Sequence, residues 1–134
     1  MTSSPKTRRV LVVDDEESVR QMERLILERA GFEVIEASDG AAALDVLKTQ
    51  TPLELIVADV DMPNLAGDDM AKHVATLRPG LKVLFVTGHV PKLFKEQRLL
   101  DDDRAFLSKP FTSKGLIEAV ALLRYGTLNL PLNL

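Results

Sequence analysis

The chain has 134 residues, no cysteine and a formal net charge of -3, with a pI of about 5.4. This length suits one domain that buries roughly two-thirds of its unfolded surface, and the missing thiols exclude a disulfide framework and a thiolate site. The acidic balance argues against a nucleic-acid surface, and no apolar stretch approaches the roughly 20 residues that a bilayer span requires.

The start, Met1-Thr2-Ser3-Ser4-Pro5, lacks the apolar core of a signal peptide, so a cytoplasmic protein is expected, with no direct nucleic-acid or membrane contact. Lys6, Arg8 and Arg9 read as a solvated lead-in. The apolar run Val10-Leu11-Val12-Val13 predicts a strand over 8–14 that closes on Asp14 and Asp15. A helix follows over 16–30, with Val19, Met22, Leu25 and Ile26 at helical spacing and Gly31 where a helix C-terminus favours positive φ. Next come a strand over 32–37, a helix over 39–49 and a strand over 53–59, whose apolar run Leu55-Ile56-Val57-Ala58 ends in Asp59-Val60-Asp61-Met62-Pro63. Met70, Val74 and Leu77 mark a helix over 66–77 that stops before Pro79-Gly80. A strand over 81–87 is followed by a short helix over 91–100, built on Leu93, Phe94, Leu99 and Leu100 and bracketed by Pro91 and the run Asp101-Asp102-Asp103. The last elements are a strand over 104–108 and a helix over 113–124, for which Thr112 is the expected N-cap. The tail from Gly126 to Leu134 alternates apolar and polar residues and is either a packed extension or part of a linker.

Apolar strands interleaved with helices specify parallel pairing through right-handed crossovers, with helices on both faces. The expected fold is a doubly wound α/β sheet of five parallel strands with five helices. In such sheets, ligands bind in the crevice at the carboxyl ends of the strands. Two of those ends deliver Asp14, Asp15, Asp59 and Asp61. Gathered carboxylates repel one another and burial favours their neutral forms, so a hard cation, Mg2+ above all, is implied.

Four further residues complete a pattern: Gly67 opening the third helix, Thr87 ending the fourth strand, Lys109 ending the fifth, and Pro110 after it. The acidic pair, the Asp59 motif, the strand-end threonine and Lys109-Pro110-Phe111, in that order, resemble the receiver domain of bacterial two-component response regulators over about residues 8–124. The resemblance implies a flavodoxin-like sheet of order 2-1-3-4-5, a domain over 8–124 flanked by tails 1–7 and 125–134, and no output domain. Carried over position by position, it makes Asp59 the phosphoacceptor, with Mg2+ or Mn2+ bound by Asp15 and Asp59. Asp14 would hold the ion through water or position Asp15, and the backbone carbonyl of Asp61 would be another ligand. Thr87 would hydrogen-bond a phosphoryl oxygen and Lys109 would pair with it. Implied partners are a sensor histidine kinase or phosphotransfer protein, and a downstream protein or second copy of the chain on the face made by the fourth helix, fifth strand and fifth helix. The segments 83–89 and 105–111 look like receivers attached to hybrid sensor kinases.

Four positions are expected to tune the site. Asp61 and His89 hold positions that in receivers flank the water route to the phosphoryl group, so the resemblance implies that they set the lifetime of the phosphorylated state. Phe106 occupies the fifth-strand position where receivers often have an aromatic switch and, lacking a hydroxyl, is expected to signal only by burial. Gly88 leaves room for a large donor or permits unusual loop geometry. Two rival functions are a pseudo-receiver that binds proteins without phosphorylation, and a phosphatase of the haloacid-dehalogenase type using Asp59 and Asp61.

Overall fold

The structure, a computed structural model, describes residues 8–61, 67–88, 99–101 and 103–125. In chain order the elements are β1 (Arg9–Val13), α1 (Glu17–Arg29), β2 (Glu33–Ala37), α2 (Gly40–Leu47), β3 (Leu55–Asp59), α3 (Gly67–Leu77), β4 (Lys82–Thr87), β5 (Leu99–Asp101), β6 (Arg104–Ser108) and α4 (Ser113–Tyr125). The sheet order is β2-β1-β3-β4-β6-β5. Its first five members are parallel, which is the expected 2-1-3-4-5 order with β6 as the fifth parallel strand. The short β5 adds an antiparallel edge beside β6.

Side-chain alternation along each strand feeds two separate cores. Val10, Val12, Leu55, Val57, Leu84, Val86, Ala105 and Leu107 pack on one face against Leu27 of α1 and Leu116, Val120 and Leu123 of α4. Leu11, Val13, Ile56, Ala58, Val83 and Phe85 pack on the other against Ala43 and Leu47 of α2 and Met70 and Val74 of α3. The strands are apolar throughout because both faces are covered.

The element ends follow local chemistry. Gly31 adopts φ 97° after α1 and Gly80 φ 83° after α3, where a Cβ would be strained. Asp39 caps α2, its carboxylate accepting from the Ala42 N–H at 2.8 Å. Thr112 caps α4 as expected, its Oγ1 accepting from Gly115 N–H at 2.9 Å.

Two expectations are corrected. Leu99 and Leu100, placed by the sequence at the end of a fourth helix, are in strand β5, where ladder bonds to β6 outweigh a weak helical stripe. The rest of that segment, 91–98, lies outside the described residues, which contain four helices rather than five. In α1, Met22 and Leu25 are 41% and 53% exposed, whereas Glu23 and Leu27 are buried. The inward stripe is Val19, Glu23, Ile26, Leu27 and Ala30, so it carries a carboxyl where a hydrocarbon is the usual occupant.

Candidate functional site

Parallel registry assembles the site. Val13 pairs with Ala58, so the next step along each strand sets Asp14 level with Asp59. Asp59 itself pairs with Val86, and Thr87 with Ser108, so Lys109 is one step beyond the end of β6. Three backbone bonds extend the ladder into this edge: Asp14 N–H to Ala37 O, Val60 N–H to Val86 O and Lys109 N–H to Thr87 O. Strand parity places Asp14 and Asp59 in step with the core under α1 and α4, and Thr87 in step with the opposite core.

The expected carboxylates do converge. Asp14, Asp15 and Asp59 offer oxygens that all lie within 4.8 Å of one another, with Asp14 and Asp59 buried and Asp15 exposed. Asp14 Oδ1 accepts from Glu16 N–H at 2.9 Å, while its Oδ2 is buried with no hydrogen-bond partner. Burial is the main cause that pushes the Asp14 carboxyl up to about 6, and the charges of Asp59 and Asp15 add to it; the Glu16 bond and Lys109 oppose it. Such a cluster, with an orphaned buried oxygen, fits a small divalent cation whose ligands are oxygens.

Lys109 reaches the same point from β6, its Nζ 3.1 Å from Asp59 Oδ1. Burial lowers the Lys109 pKa, but the bond and charge of Asp59, joined by Asp14 and Asp61, outweigh that and hold the ammonium above its ordinary value. Asp59 Oδ1 also accepts from Asp61 N–H at 2.9 Å, so the 6%-exposed Asp59 carboxylate is fixed from two sides. Thr87, buried at the end of β4, donates through Oγ1 to Asp61 Oδ1 at 2.9 Å, and Gly88 N–H donates to Asp61 Oδ2 at 2.9 Å.

The remaining candidates sit as follows. Phe106 is half-buried on β6, its ring centroid 6.2 Å from that of Phe85. Gly88 has ordinary φ, so unusual geometry does not explain it; an added Cβ would lie 3.9 Å from Asp61 Oδ2. His89 lies outside the described residues, and for Gly67 the backbone of α3 is described but not its surroundings.

Four residues escaped the sequence reading, namely Arg20, Arg24, Glu36 and Glu23. Arg20 donates to the Asp14 carbonyl at 2.8 Å and pairs with Glu36 at 2.9 Å, tying α1 and β2 to the acidic loop. Arg24 shares Glu36, and these two guanidiniums, Arg24 first, keep the Glu36 carboxyl below its usual range. Glu23 lies on the α1 face turned to the same core as Asp14 and Asp59, with both carboxyl oxygens buried and without partners. Burial first, then the charges of Asp14 and Asp59, push it up to about 8 against the pull of Lys109. Its position four residues from both Val19 and Leu27 was the available signal.

The acidic cluster and the opposed lysine thus sit at the carboxyl edge of a doubly wound sheet, in the crevice where this class of α/β fold binds its ligands. Residues 10–121 match the family model of the response regulator receiver domain, and the chain belongs to that family. It is 29% identical to the response regulator receiver protein CpdR of Brucella abortus, over 84% of this chain and 93% of CpdR. It is 32% identical to the sensor kinase CckA of Brucella abortus over 83% of this chain, but spans only 12% of that kinase. Response regulator TrrA of Thermotoga maritima, solved in complex with Mg2+ and BeF, matches with TM-score 0.71 and 26% identity, over 87% of this chain and 99% of TrrA. Family membership and the position of Asp59-Val60-Asp61 on the third strand leave the phosphatase alternative without support. No helix among the described residues is long and apolar enough to cross a membrane.

Proposed function

We propose that this receiver domain, over about 8–124, is a phosphoacceptor switch that takes a phosphoryl group on Asp59 from the phosphohistidine of a kinase or phosphotransfer protein. The observation that carries the proposal is the Asp59 carboxylate, buried at a strand end, held by Lys109 at 3.1 Å and clustered with Asp14 and Asp15. Since Oδ1 of Asp59 is engaged by Lys109 and by the Asp61 N–H, Oδ2 is assigned as the attacking oxygen. It forms the O–P bond as the P–N bond of the donor imidazole breaks; the bonding pair leaves with the nitrogen, which is reprotonated from solvent.

Phosphoryl transfer asks a protein mainly to position the partners and to neutralise charge on the equatorial oxygens. Lys109 meets part of that need from the β6 side. Asp14, Asp15 and Asp59 would hold Mg2+ or Mn2+, with the Asp61 carbonyl as a further ligand. When bound, such an ion would supply positive charge to the phosphoryl oxygens and would offset the repulsion within the cluster. Thr87 turns its hydroxyl from Asp61 to a phosphoryl oxygen, and the half-buried Phe106, paired across β4 and β6 with Phe85 two residues before Thr87, carries that change to the surface of β6 and α4. That surface is the proposed partner face. TrrA, crystallised with Mg2+ and BeF, supports the cation and the phosphoryl site by likeness.

Transfer from a radiolabelled, phosphorylated histidine-kinase domain tests the donor class. Label that moves to the chain, is lost in Asp59→Asn and is stripped by mild base supports the proposal; label that stays on the kinase with an intact Asp59 contradicts it.

A further inference from the structure

Asp61 makes two contacts that the phosphoacceptor role does not require. Its carboxylate spans the end of β4, with Oδ1 taking the Thr87 hydroxyl at 2.9 Å and Oδ2 taking the Gly88 N–H at 2.9 Å. Its own N–H is bonded to Asp59 Oδ1, so the clamp is anchored to the acceptor residue. Asp59 pairs with Val86 on the adjoining strand, roughly 4.8 Å away. Asp61 therefore bridges the acceptor carboxylate and the Thr87 and Gly88 donors at adjoining strand ends, which brings those donors to a group carried on Asp59. These two donors form a small anion cradle, and a carboxylate of the chain occupies it.

We infer that Asp61 is an internal competitor for the phosphoryl oxygens, so that phosphorylation must evict its carboxylate from Thr87 and Gly88. The inference rests on Asp59 being the phosphoacceptor. Geometry favours competition over a merely structural bond, because both carboxylate oxygens are matched to donors as two oxygens of a phosphoryl group would be. Asp61 is exposed, so its side chain can swing into solvent without a cavity being left behind. The competitor raises the threshold for small phosphodonors and holds the Thr87 hydroxyl near the site before any phosphoryl group arrives. A donor protein that binds tightly supplies the energy for eviction, so a small phosphodonor such as acetyl phosphate reacts more slowly than such a protein does.

The test uses the full chain with Asp61→Ala and Asp61→Asn, both of which retain the backbone carbonyl. Two quantities are measured: amide hydrogen exchange at Gly88 without metal or anion, and the affinity for beryllofluoride at saturating Mg2+. Losing charge-assisted bonds at an exposed site corresponds to about a tenfold change. The expected result is about tenfold faster Gly88 exchange and about tenfold tighter beryllofluoride binding in Asp61→Ala. Asp61→Asn, whose single oxygen can accept from one donor, should fall between. Unchanged Gly88 exchange would overturn the inference, as would Asn and Ala variants that are equal in both measurements, which would show that only the charge of Asp61 matters. Beryllofluoride binding to wild type but no tighter binding to Asp61→Ala overturns it as well. Beryllofluoride binding to neither protein refutes the phosphoacceptor proposal on which it rests.

Discussion

Replacing Glu23 by methionine should stabilise the metal-free protein and flatten its pH dependence. Glu23 is 1% exposed, with both carboxyl oxygens unpartnered, and its pKa is pushed from the model-compound value of 4.5 up to about 8. Between those values the folded chain binds a proton that the unfolded chain has released, so stability falls as pH rises through that window. At pH 7 the unfolded chain must take up that proton to fold, at about 3 kcal/mol for the roughly two and a half units above 4.5. A near-isosteric hydrocarbon costs less than about 1.5 kcal/mol of packing, so Glu23→Met should gain about 2 kcal/mol. Asp14, pushed up to about 6, has the same sign, but most of its effect ends below the upper part of the window. From about pH 6.5 to 8 the remaining slope is therefore that of Glu23, and wild type should lose about 1 to 2 kcal/mol more than the variant. Urea unfolding in the presence of a chelator, at several pH values in that range, reads both effects. Superimposable pH slopes for the two proteins would refute the reasoning.

Further expectations follow from the site. Lys109→Ala should slow phosphorylation by about 100-fold, the scale of losing a preorganised charge, while Mg2+ affinity measured by calorimetry holds or rises because a cation beside the acidic cluster is gone; equal phosphorylation rates would remove Lys109 from the chemistry. Mg2+ should raise the unfolding midpoint, by about 2.7 kcal/mol of stability at a hundredfold excess over Kd, and the gain should be lost in Asp15→Asn. Because binding needs the ionised carboxylates and Asp14 is pushed up to about 6, Mg2+ affinity should fall as pH drops through 6, by about tenfold one unit below. Asp14→Asn should abolish that dependence.

What was legible in the sequence was what lies in contiguous segments. Strand runs such as Val10-Leu11-Val12-Val13 carry their partnering with them, since only strands covered on both faces are apolar at every step. Registry then follows from the crossovers, so Asp14, Asp15, Asp59, Thr87 and Lys109 could be placed at one edge from the sequence alone. Contacts that depend on tertiary detail were not legible. Glu23 sits on a buried stripe that a charged residue rarely occupies, while Met22 and Leu25, which fit the periodicity, face solvent. The run before Asp101 has a weak helical stripe, yet Leu99 and Leu100 find ladder partners on β6. The Asp61 side chain could be suspected of tuning the site, but its hold on Thr87 and Gly88 depends on where the β3 and β4 ends fall relative to each other.

The most direct test of the phosphoacceptor proposal is intact mass after incubation with acetyl phosphate, with and without Mg2+, beside Asp59→Asn. One phosphoryl adduct on wild type, absent without Mg2+ and absent from the variant, is the predicted result. An adduct that persists in Asp59→Asn, or a wild-type chain that takes none and also fails to bind beryllofluoride, would contradict the account.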